Sequence, residues 1–301
     1  MLKKLSSYTF VLLGLAVLLN SCKKEYESIE NIDDQKIQQY LSNNNVANAI
    51  QDPEKTGFYY QVTTPGTGTL YTNTDSVRYS ITVSSLLNGT EYYSTPSYLN
   101  LGTRVGYTTS FNGKAIPAIL TTIKALKPGG VATIILPSYL AFGKNGLEAI
   151  NVPSNEIIAL KVTTYAEKQA VLDDQHITAF LTTSGLVATK DPSGVYYQIL
   201  EAGTGTEPIT SQSELTLNYS GRTLDGVEFQ SSLDEAQYVL PQLIEGWGIL
   251  KNFKKGAKVR IVVPSVLAYG HAGRVDTSTG AVLITGNASL DFTIDILDVE
   301  N

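Results

Sequence analysis

Few residues of this chain could carry covalent or metal chemistry. Its 301 residues include one cysteine and two histidines, so His271 has no partner cluster for a metal and is expected to be an ordinary loop residue. The glycine-rich turn at 203–205 lacks the lysine and the strand-to-helix context of a phosphate-binding loop. Aromatic residues are abundant instead, with 18 tyrosines, 8 phenylalanines and a single tryptophan, Trp247.

Internal repeats indicate which elements must position these aromatic residues. Four segments recur in the same order: 33–44 as 173–184, 57–69 as 194–206, 126–143 as 253–270, and 152–162 as 284–294. A chain of this length is expected to form about two domains. The repeat therefore predicts two tandem copies of one domain, at 33–166 and 170–301.

Each copy is predicted to have an α+β fold. Apolar residues at helical spacing predict an opening helix in each copy, and the acidic pair that starts each helical segment is expected to be its N-cap. In the second copy, alternating strands flank a hairpin turn at Asp225-Gly226. A short helix over 243–253, ended by Gly256, is expected to pack on a curved antiparallel sheet and leave an apolar pocket between them.

The first 32 residues are predicted to lie outside this fold. Two lysines and an apolar run of about a dozen residues are typical of a secretory signal peptide, and Cys22 follows where the run ends. This arrangement resembles the lipobox of bacterial lipoproteins, which implies a signal peptide at 1–21, lipidation of Cys22 and a flexible tether at 22–32. The alternative is an ordinary secretory signal in which Cys22 is incidental.

The charge pattern gives no sign of a nucleic-acid partner. The formal net charge is −6, and the charged residues are scattered without a basic patch. The lipobox resemblance implies a lipid-anchored protein of the bacterial cell envelope, with the outer membrane favoured and its periplasmic or surface face left open.

One series of residues in the second copy resembles FKBP-type peptidyl-prolyl cis-trans isomerases. The series comprises Tyr219 and Gly221, the Asp225-Gly226 turn, Phe229 with Ser231-Ser232, Gly246-Trp247, Gly256, Pro264, 267–270, Asn287 and Phe292. The resemblance covers 194–301 almost entirely and 57–166 more weakly. It implies two tandem FKBP-like domains, each a curved antiparallel sheet wrapped on a short helix and preceded by an extra helix.

The resemblance also implies an activity that needs no cofactor and no metal. Rotation of an X–Pro bond is slow because resonance gives the C–N bond partial double-bond character. A dry aromatic pocket that binds the twisted amide better than the planar one accelerates the rotation. The implied partners are proline-containing polypeptides, and the implied role is assistance in the folding of exported proteins.

Carried over by position, the resemblance assigns the pocket residues. Trp247 is the expected floor, and the expected walls are Tyr219, Phe229, Tyr269 and Phe292. The Ile244 N–H and the Tyr269 hydroxyl are expected to hold substrate carbonyls. The other expected substrate-binding residues are Leu243, Ala268 and Ile284. For each aromatic residue the alternative is ordinary core packing.

The sequence departs from the family pattern at Gln230, where members usually have an aspartate, so any charge assistance to the twisted amide is reduced. This departure keeps a second hypothesis open, in which the protein is a non-catalytic FKBP-like binding or chaperone lipoprotein. A surface carbohydrate-binding lipoprotein is indicated only by the abundant tyrosine.

The first copy departs further from the family pattern. Leu120, Phe142 and Leu160 stand where the second copy has Trp247, Tyr269 and Phe292. Tyr92-Tyr93 replaces Phe229-Gln230, and Tyr219 aligns with Ile81 or Val83. The first copy is therefore predicted to keep a core without an active site, as a structural or binding domain.

Overall fold

The computed structural model describes residues 27–46 and 48–301. The predicted signal peptide, the lipidation site Cys22 and the start of the tether lie outside the described residues. Among the helices that are described, none is long and apolar enough to cross a membrane.

The N-terminal unit (residues 29–164) contains two α-helices and an antiparallel sheet. The helices are α1 (Ile29–Asn43) and α2 (Ala118–Lys124). The strands are β1 (Ile50–Gln51), β2 (Tyr59–Thr64), β3 (Ser76–Ser85), β4 (Glu91–Ser94), β5 (Leu101–Arg104), β6 (Ser110–Phe111), β7 (Lys114–Ala115), β8 (Val131–Leu136) and β9 (Ile158–Thr164). The sheet has the order β1-β2-β8-β9-β3-β4, with β5 also paired to β3, and β6 and β7 form a separate hairpin.

The C-terminal unit (residues 169–301) repeats this layout. It begins with α3 (Gln169–Ser184) and has a 3₁₀ helix at Glu245–Asn252 in place of α2. Its strands are β10 (Thr189–Lys190), β11 (Tyr196–Glu201), β12 (Glu214–Thr223), β13 (Glu228–Val239), β14 (Lys258–Val263), β15 (Arg274–Val275), β16 (Val282–Ile284) and β17 (Leu290–Glu300). The six-stranded sheet has the order β10-β11-β14-β17-β12-β13, so the predicted α+β fold with two antiparallel sheets is confirmed.

The acidic pairs in the two opening helices do not act as N-caps, contrary to the prediction. Helix α1 starts four residues earlier, and the Ser28 hydroxyl caps it by accepting a hydrogen bond from the Asn31 N–H. Asp33 lies inside the helix and is buried. Its carboxylate accepts hydrogen bonds from the backbone N–H and the hydroxyl of Ser138, at 2.8 and 2.6 Å.

The second copy has the equivalent buried contact. Asp173 in α3 accepts hydrogen bonds from the Ser265 hydroxyl at 2.8 Å and from the Val266 N–H at 3.1 Å. Ser138 and Ser265 each follow the proline that ends a central strand, β8 or β14. The repeated acidic residue therefore ties each opening helix to its own sheet, because a buried carboxylate needs hydrogen-bond donors.

The hairpin turn between β12 and β13 agrees with the prediction. Gly226 has φ of +88°, which glycine adopts without a steric penalty. The Thr223 N–H donates to the Val227 carbonyl at 3.0 Å and closes the turn. The predicted covering helix is present as the 3₁₀ helix, which ends at Asn252 and precedes the turn at Gly256.

The two units are joined by more than the chain that links them. Leu99, from the segment between β4 and β5, is buried in the core of the C-terminal unit. The Tyr98 hydroxyl donates to the Asp225 carboxylate at 2.8 Å, across the same junction. The Asn287 side chain donates to the Asn100 carbonyl at 3.2 Å. The N-terminal unit thus supplies part of the surface on which the C-terminal unit packs.

Candidate functional site: an aromatic pocket in the C-terminal unit

A pocket of about 350 Å³ lies between the sheet and the 3₁₀ helix of the C-terminal unit. The residues that line it come from β12, β13, the 3₁₀ helix region, the loop after β14 and β17. They are Tyr219, Phe229, Gln230, Tyr238, Gln242, Leu243, Ile244, Trp247, Tyr269, Arg274 and Phe292.

Edge-to-face aromatic contacts hold the inner part of the pocket. The Trp247 ring centroid is 5.1 Å from that of Tyr219 and 5.2 Å from that of Phe292, at interplanar angles of 88° and 81°. Phe229 meets Phe292 at 5.8 Å and 87°. Such geometry is favourable for aromatic pairs, because the positive ring edge of one faces the negative face of the other. The inner wall is therefore a fixed aromatic surface.

Two glycines allow the aromatic residues to reach these positions. Gly221 on β12 pairs with Phe292 on β17, and a Cβ atom at Gly221 would lie 2.7 Å from the Phe292 ring and 2.8 Å from the Phe229 ring. A Cβ atom at Gly246 would lie 2.3 Å from Val263 on β14. Any larger residue at either glycine would push the rings or the 3₁₀ helix outward, so the pocket depends on close backbone approach.

The polar part of the pocket centres on Gln230 and Arg274. The Arg274 guanidinium donates a hydrogen bond to the Gln230 side-chain oxygen at 2.5 Å and lies 6.0 Å from the centre of the Tyr269 ring. Among the described residues, Arg274 is the only charged one that lines the pocket. An uncharged glutamine therefore faces a cation here, and the rim has a net positive charge.

Tyr219 stays a neutral hydroxyl across the physiological range. Burial raises the pKa of its hydroxyl well above the ordinary value, and the nearby Tyr238 hydroxyl raises it further. The Trp247 indole N–H is buried and has no hydrogen-bond partner among the described residues. Tyr219 thus presents a neutral hydroxyl group to the inner pocket.

The structure brings together eight of the ten pocket residues that the sequence analysis names. Ala268 and Ile284 are the exceptions, because they pack in the hydrophobic core beside the pocket without lining it. Ile284 lies directly behind the pocket rim, since it is paired with Arg274 across β15 and β16. The functional roles of all ten residues stay predictions.

Two lining residues, Gln242 and Arg274, were not named from the sequence, and a third, Tyr238, is one of two positions (with Ala236) that the sequence offers for a further wall aromatic. Tyr238 packs edge-on against Tyr219 at 5.8 Å. Arg274 is the single arginine of the long loop after Tyr269, which was a weak signal in the sequence. Its contact with Gln230 spans 44 residues of chain, so only the fold reveals it.

The matching position in the N-terminal unit is filled with aliphatic side chains. Val83 pairs with Leu160 in the N-terminal unit as Gly221 pairs with Phe292 in the C-terminal unit. Two residues earlier on the same strands, Ile81 therefore occupies the position equivalent to Tyr219. Ile81 and Leu160 are fully buried in the core of that unit. This resolves the alternative between Ile81 and Val83 that the sequence leaves open.

No three His, Cys, Asp or Glu side chains come together as a metal site in ranges 27–46 and 48–301. The chemistry available in the pocket is therefore described by its aromatic walls, by the Tyr269 and Tyr219 hydroxyls and by the Gln230–Arg274 pair.

Comparison with known proteins shows similarity to one family in the part of the chain that forms the pocket. Residues 205–297 match the sequence model of the family described as FKBP-type peptidyl-prolyl cis-trans isomerase. All eleven pocket residues fall inside this range.

Individual relatives align over part of their length. The chain is 38% identical over 112 residues to the FKBP-type peptidyl-prolyl cis-trans isomerase FkpA of Escherichia coli K12, which covers 36% of this chain and 38% of that protein. It is 36% identical over 112 residues to the peptidyl-prolyl cis-trans isomerase Mip of Coxiella burnetii, covering 36% of this chain and 46% of that protein. The chain thus spans less than half of either relative.

A crystal structure of a peptidyl-prolyl cis-trans isomerase from Pseudomonas syringae shares 29% identity with the aligned part, with a TM-score of 0.37. That alignment covers 44% of this chain and 94% of the other. Over 205–297 the C-terminal unit is thus similar to the FKBP-type peptidyl-prolyl cis-trans isomerase family and to the relatives that share it.

Proposed function

We propose that the aromatic pocket of the C-terminal unit catalyses cis–trans isomerisation of X–Pro bonds in polypeptides. The observation that carries this proposal is the Trp247 ring, held edge-on between Tyr219 and Phe292 at the inner end of the pocket. A proline ring is apolar and flat enough to lie on such a surface. Its amide then leaves water, which weakens the resonance that opposes rotation.

The polar groups of the rim suit the substrate carbonyls. Among the described residues, no acceptor takes the Ile244 N–H, which precedes the 3₁₀ helix. We assign this N–H and the Tyr269 hydroxyl to the carbonyl oxygens on the two sides of the proline. Holding both while the amide twists favours the transition state over the planar ground state.

The experiment is an isomerisation assay on the full chain with a short proline peptide. We expect Trp247→Leu, which installs the type of residue found at Leu120, to lower kcat/KM by about tenfold or more. Leu120→Ala is the matched control in the N-terminal unit and is expected to leave kcat/KM unchanged. Far-UV circular dichroism verifies that each variant is folded.

Tyr269→Phe provides a test that creates no cavity. Losing one hydrogen bond to a substrate carbonyl is expected to lower kcat/KM by about threefold to tenfold. Background rates for the unaltered chain, or equal rates for all these variants, would rule out catalysis in this pocket.

A second candidate is a binding module that holds proline-containing chains without turning them over. Gln230 favours it, because this position lacks the carboxylate found in most family members and is occupied instead by an amide bonded to Arg274. Peptide binding that quenches Trp247 fluorescence without any isomerisation would select this function.

The cellular role that we propose is assistance to exported proteins from a lipid anchor at Cys22. It rests on the sequence of residues 1–22 alone. Radiolabelled fatty acid should be incorporated into the unaltered chain and not into Cys22→Ser, and equal labelling of both would rule the anchor out.

A further inference from the structure

A second, larger cavity lies between the two units. Its volume is about 710 Å³, twice that of the aromatic pocket. The N-terminal unit contributes parts of β3 and β5 with Arg78, Arg104 and Tyr107, and the C-terminal unit contributes Gln169 and the loop at 270–271. We call this cavity the inter-unit cleft.

The inter-unit cleft has a positive charge. Arg78 and Arg104 line it, and the described residues that line it include no Asp or Glu. Neither arginine belongs to any of the ion pairs found among the described residues. Arg78 donates one hydrogen bond, at 3.2 Å, to the Glu167 carbonyl, which leaves most of its five donors free. The cleft therefore offers charge-assisted donors without internal carboxylate partners.

The floor of the inter-unit cleft is fixed by side-chain hydrogen bonds across the junction. Asn100 and Gln169 bond reciprocally at 2.9 and 3.0 Å, and Asn287 donates to the Asn100 carbonyl at 3.2 Å. Gly102 permits this approach, because a Cβ atom there would lie 2.6 Å from the Asn287 side-chain nitrogen. The arginines are thus carried on a scaffold that needs little reorganisation to bind a ligand.

One loop separates the inter-unit cleft from the aromatic pocket. Tyr269 and Arg274 line the pocket, whereas Gly270 and His271 line the cleft. A chain that leaves the pocket past Tyr269 therefore reaches the cleft within a few residues, since an extended chain advances about 3.3–3.6 Å per residue.

The cleft is also shaped for an extended backbone. Among the strands that the structure describes, β5 pairs with β3 alone, so none of them occupies its other edge. An unpaired edge offers backbone donors and acceptors to an extended peptide. Tyr107, which is 75% exposed, adds an aromatic surface at the same end.

We propose that the inter-unit cleft binds an acidic, extended segment of the same polypeptide whose proline occupies the aromatic pocket. The segment's Asp or Glu carboxylates bond to Arg78 and Arg104, and its backbone runs along β5. This inference rests on the proposed function for the source of the ligand. It gives the N-terminal unit a task, which is to select clients by the charge that flanks their prolines.

The test measures binding of fluorescent proline peptides to the full chain by anisotropy. Three peptides share one proline core and carry flanks of several Glu, Gln or Lys residues. We expect the Glu-flanked peptide to bind about tenfold more tightly than the Gln-flanked one, as two partly exposed ion pairs allow. The difference is expected to shrink at high salt.

Substitutions in the inter-unit cleft test whether the preference for the Glu-flanked peptide arises there. Arg78→Gln with Arg104→Gln is expected to remove the preference for Glu, whereas Arg78→Lys with Arg104→Lys, which keeps the charge, is expected to retain most of it. Lys144→Gln is the matched control for loss of a cation, because it is exposed in the N-terminal unit and does not line the cleft.

Three outcomes would overturn the proposal: equal affinity for the Glu and Gln peptides, an equal loss in Lys144→Gln, or a preference removed by Arg274→Gln and not by the paired cleft variant. A paired cleft variant that loses binding to phosphatidylglycerol vesicles but keeps the peptide preference would assign the cleft to lipid and also overturn it. Failure of the proposed function is seen separately, as the absence of isomerisation of a short, uncharged proline peptide.

Discussion

The two units share a sheet order and a buried helix-to-sheet contact, yet they differ in what fills the space under the covering helix. In the C-terminal unit, Gly221 leaves room for Phe229 and Phe292 to meet beside Trp247. In the N-terminal unit, Val83 stands at the Gly221 position and Leu160 at the Phe292 position.

The difference teaches that the aromatic residues at these register positions can be replaced without loss of the fold. Branched aliphatic residues fill the same register positions in the N-terminal unit and are fully buried there. Such residues bury well and keep sheet propensity, so the core retains its hydrophobic stabilisation. The C-terminal unit differs at these positions by its tyrosine hydroxyl and its tryptophan.

The largest expected effect concerns the independence of the two units. Leu99 precedes the boundary in the chain but is buried in the C-terminal core. Leu99→Ala is expected to destabilise the C-terminal unit by about 2–4 kcal/mol, through lost burial and the cavity left behind. Urea unfolding followed by Trp247 fluorescence measures this, because the chain has no other tryptophan.

The matched control for Leu99→Ala is Leu70→Ala, since Leu70 is 53% exposed. It is expected to change stability by less than about 0.5 kcal/mol. If Leu99→Ala left the urea midpoint of the Trp247 transition unchanged, the stability of the C-terminal unit would not depend on Leu99. The two units could then be compared as independent domains.

The next largest effect is a difference in stability between variants of the two buried aspartates, Asp173 and Asp33. Asp173 accepts hydrogen bonds on both oxygens, including one from the Gln169 amide at 2.9 Å, whereas Asp33 has one oxygen without a partner. Asp173→Asn places an amide N–H₂ against an existing donor and is expected to cost about 1–3 kcal/mol. Thermal unfolding by circular dichroism measures it.

Asp33→Asn is the control in the other unit, because its new amide group can occupy the position that has no partner. We expect it to cost less than Asp173→Asn. If Asp33→Asn lowered the free energy of unfolding more than Asp173→Asn, the hydrogen-bonding difference between the two aspartates would not explain their contributions to stability.

A smaller effect is expected at Gln230, the polar residue in which the pocket departs from the family pattern. Gln230→Glu keeps the side-chain size and pairs a carboxylate with the Arg274 guanidinium. Charge-assisted hydrogen bonds are about twice as strong as neutral ones, so a firmer rim is expected to raise kcat/KM about threefold. The isomerisation assay with a short peptide measures this.

Gln242→Glu is the control for Gln230→Glu, because it adds the same charge to the pocket lining at a residue with no bond to Arg274. If kcat/KM rose equally in both variants, the gain would come from the added negative charge and not from the bond between residue 230 and Arg274.

The smallest effect is a pH dependence that His176 gives to the C-terminal unit. His176 in α3 is buried, whereas Lys36 at the same position of the repeat is exposed. Burial lowers the pKa of His176 below its ordinary 6.5, and the nearby Asp173 carboxylate opposes this. The unfolded chain therefore binds a proton that the folded unit does not, so stability is lost as the pH falls below 6.5.

His176→Gln is expected to flatten the dependence of the Trp247 unfolding midpoint on pH between about pH 7.5 and about pH 5.5. Lys36→Gln is expected to leave that dependence as it is. If the slope persisted in His176→Gln, another group would be responsible for it.

Much of the fold could be predicted from the sequence because the chain repeats itself. The repeated alternation of apolar residues predicted both sheets, and the Asp-Gly pair predicted the hairpin. The acidic pairs were misinterpreted as N-caps, because an Asp near a helix start fits the capping pattern locally. Its actual partner, Ser138 or Ser265, lies about a hundred residues further along the chain.

Part of the candidate site could also be predicted from the sequence. Eight pocket residues could be named because the order of aromatic residues and glycines resembles one family. Arg274 could not be named, because its contact with Gln230 depends on how the loop at 270–286 folds back over the pocket.

The sequence by itself determined the duplication and the α+β class, since these follow from internal repetition and local periodicity, and its resemblance to one family named the aromatic residues of one pocket. Only the tertiary structure decided that Leu99 completes the second core, that Arg274 bonds to Gln230 and that two arginines line a cleft between the units. The physical reason is that each of these contacts joins residues distant in sequence, and such contacts exist only once the chain has packed.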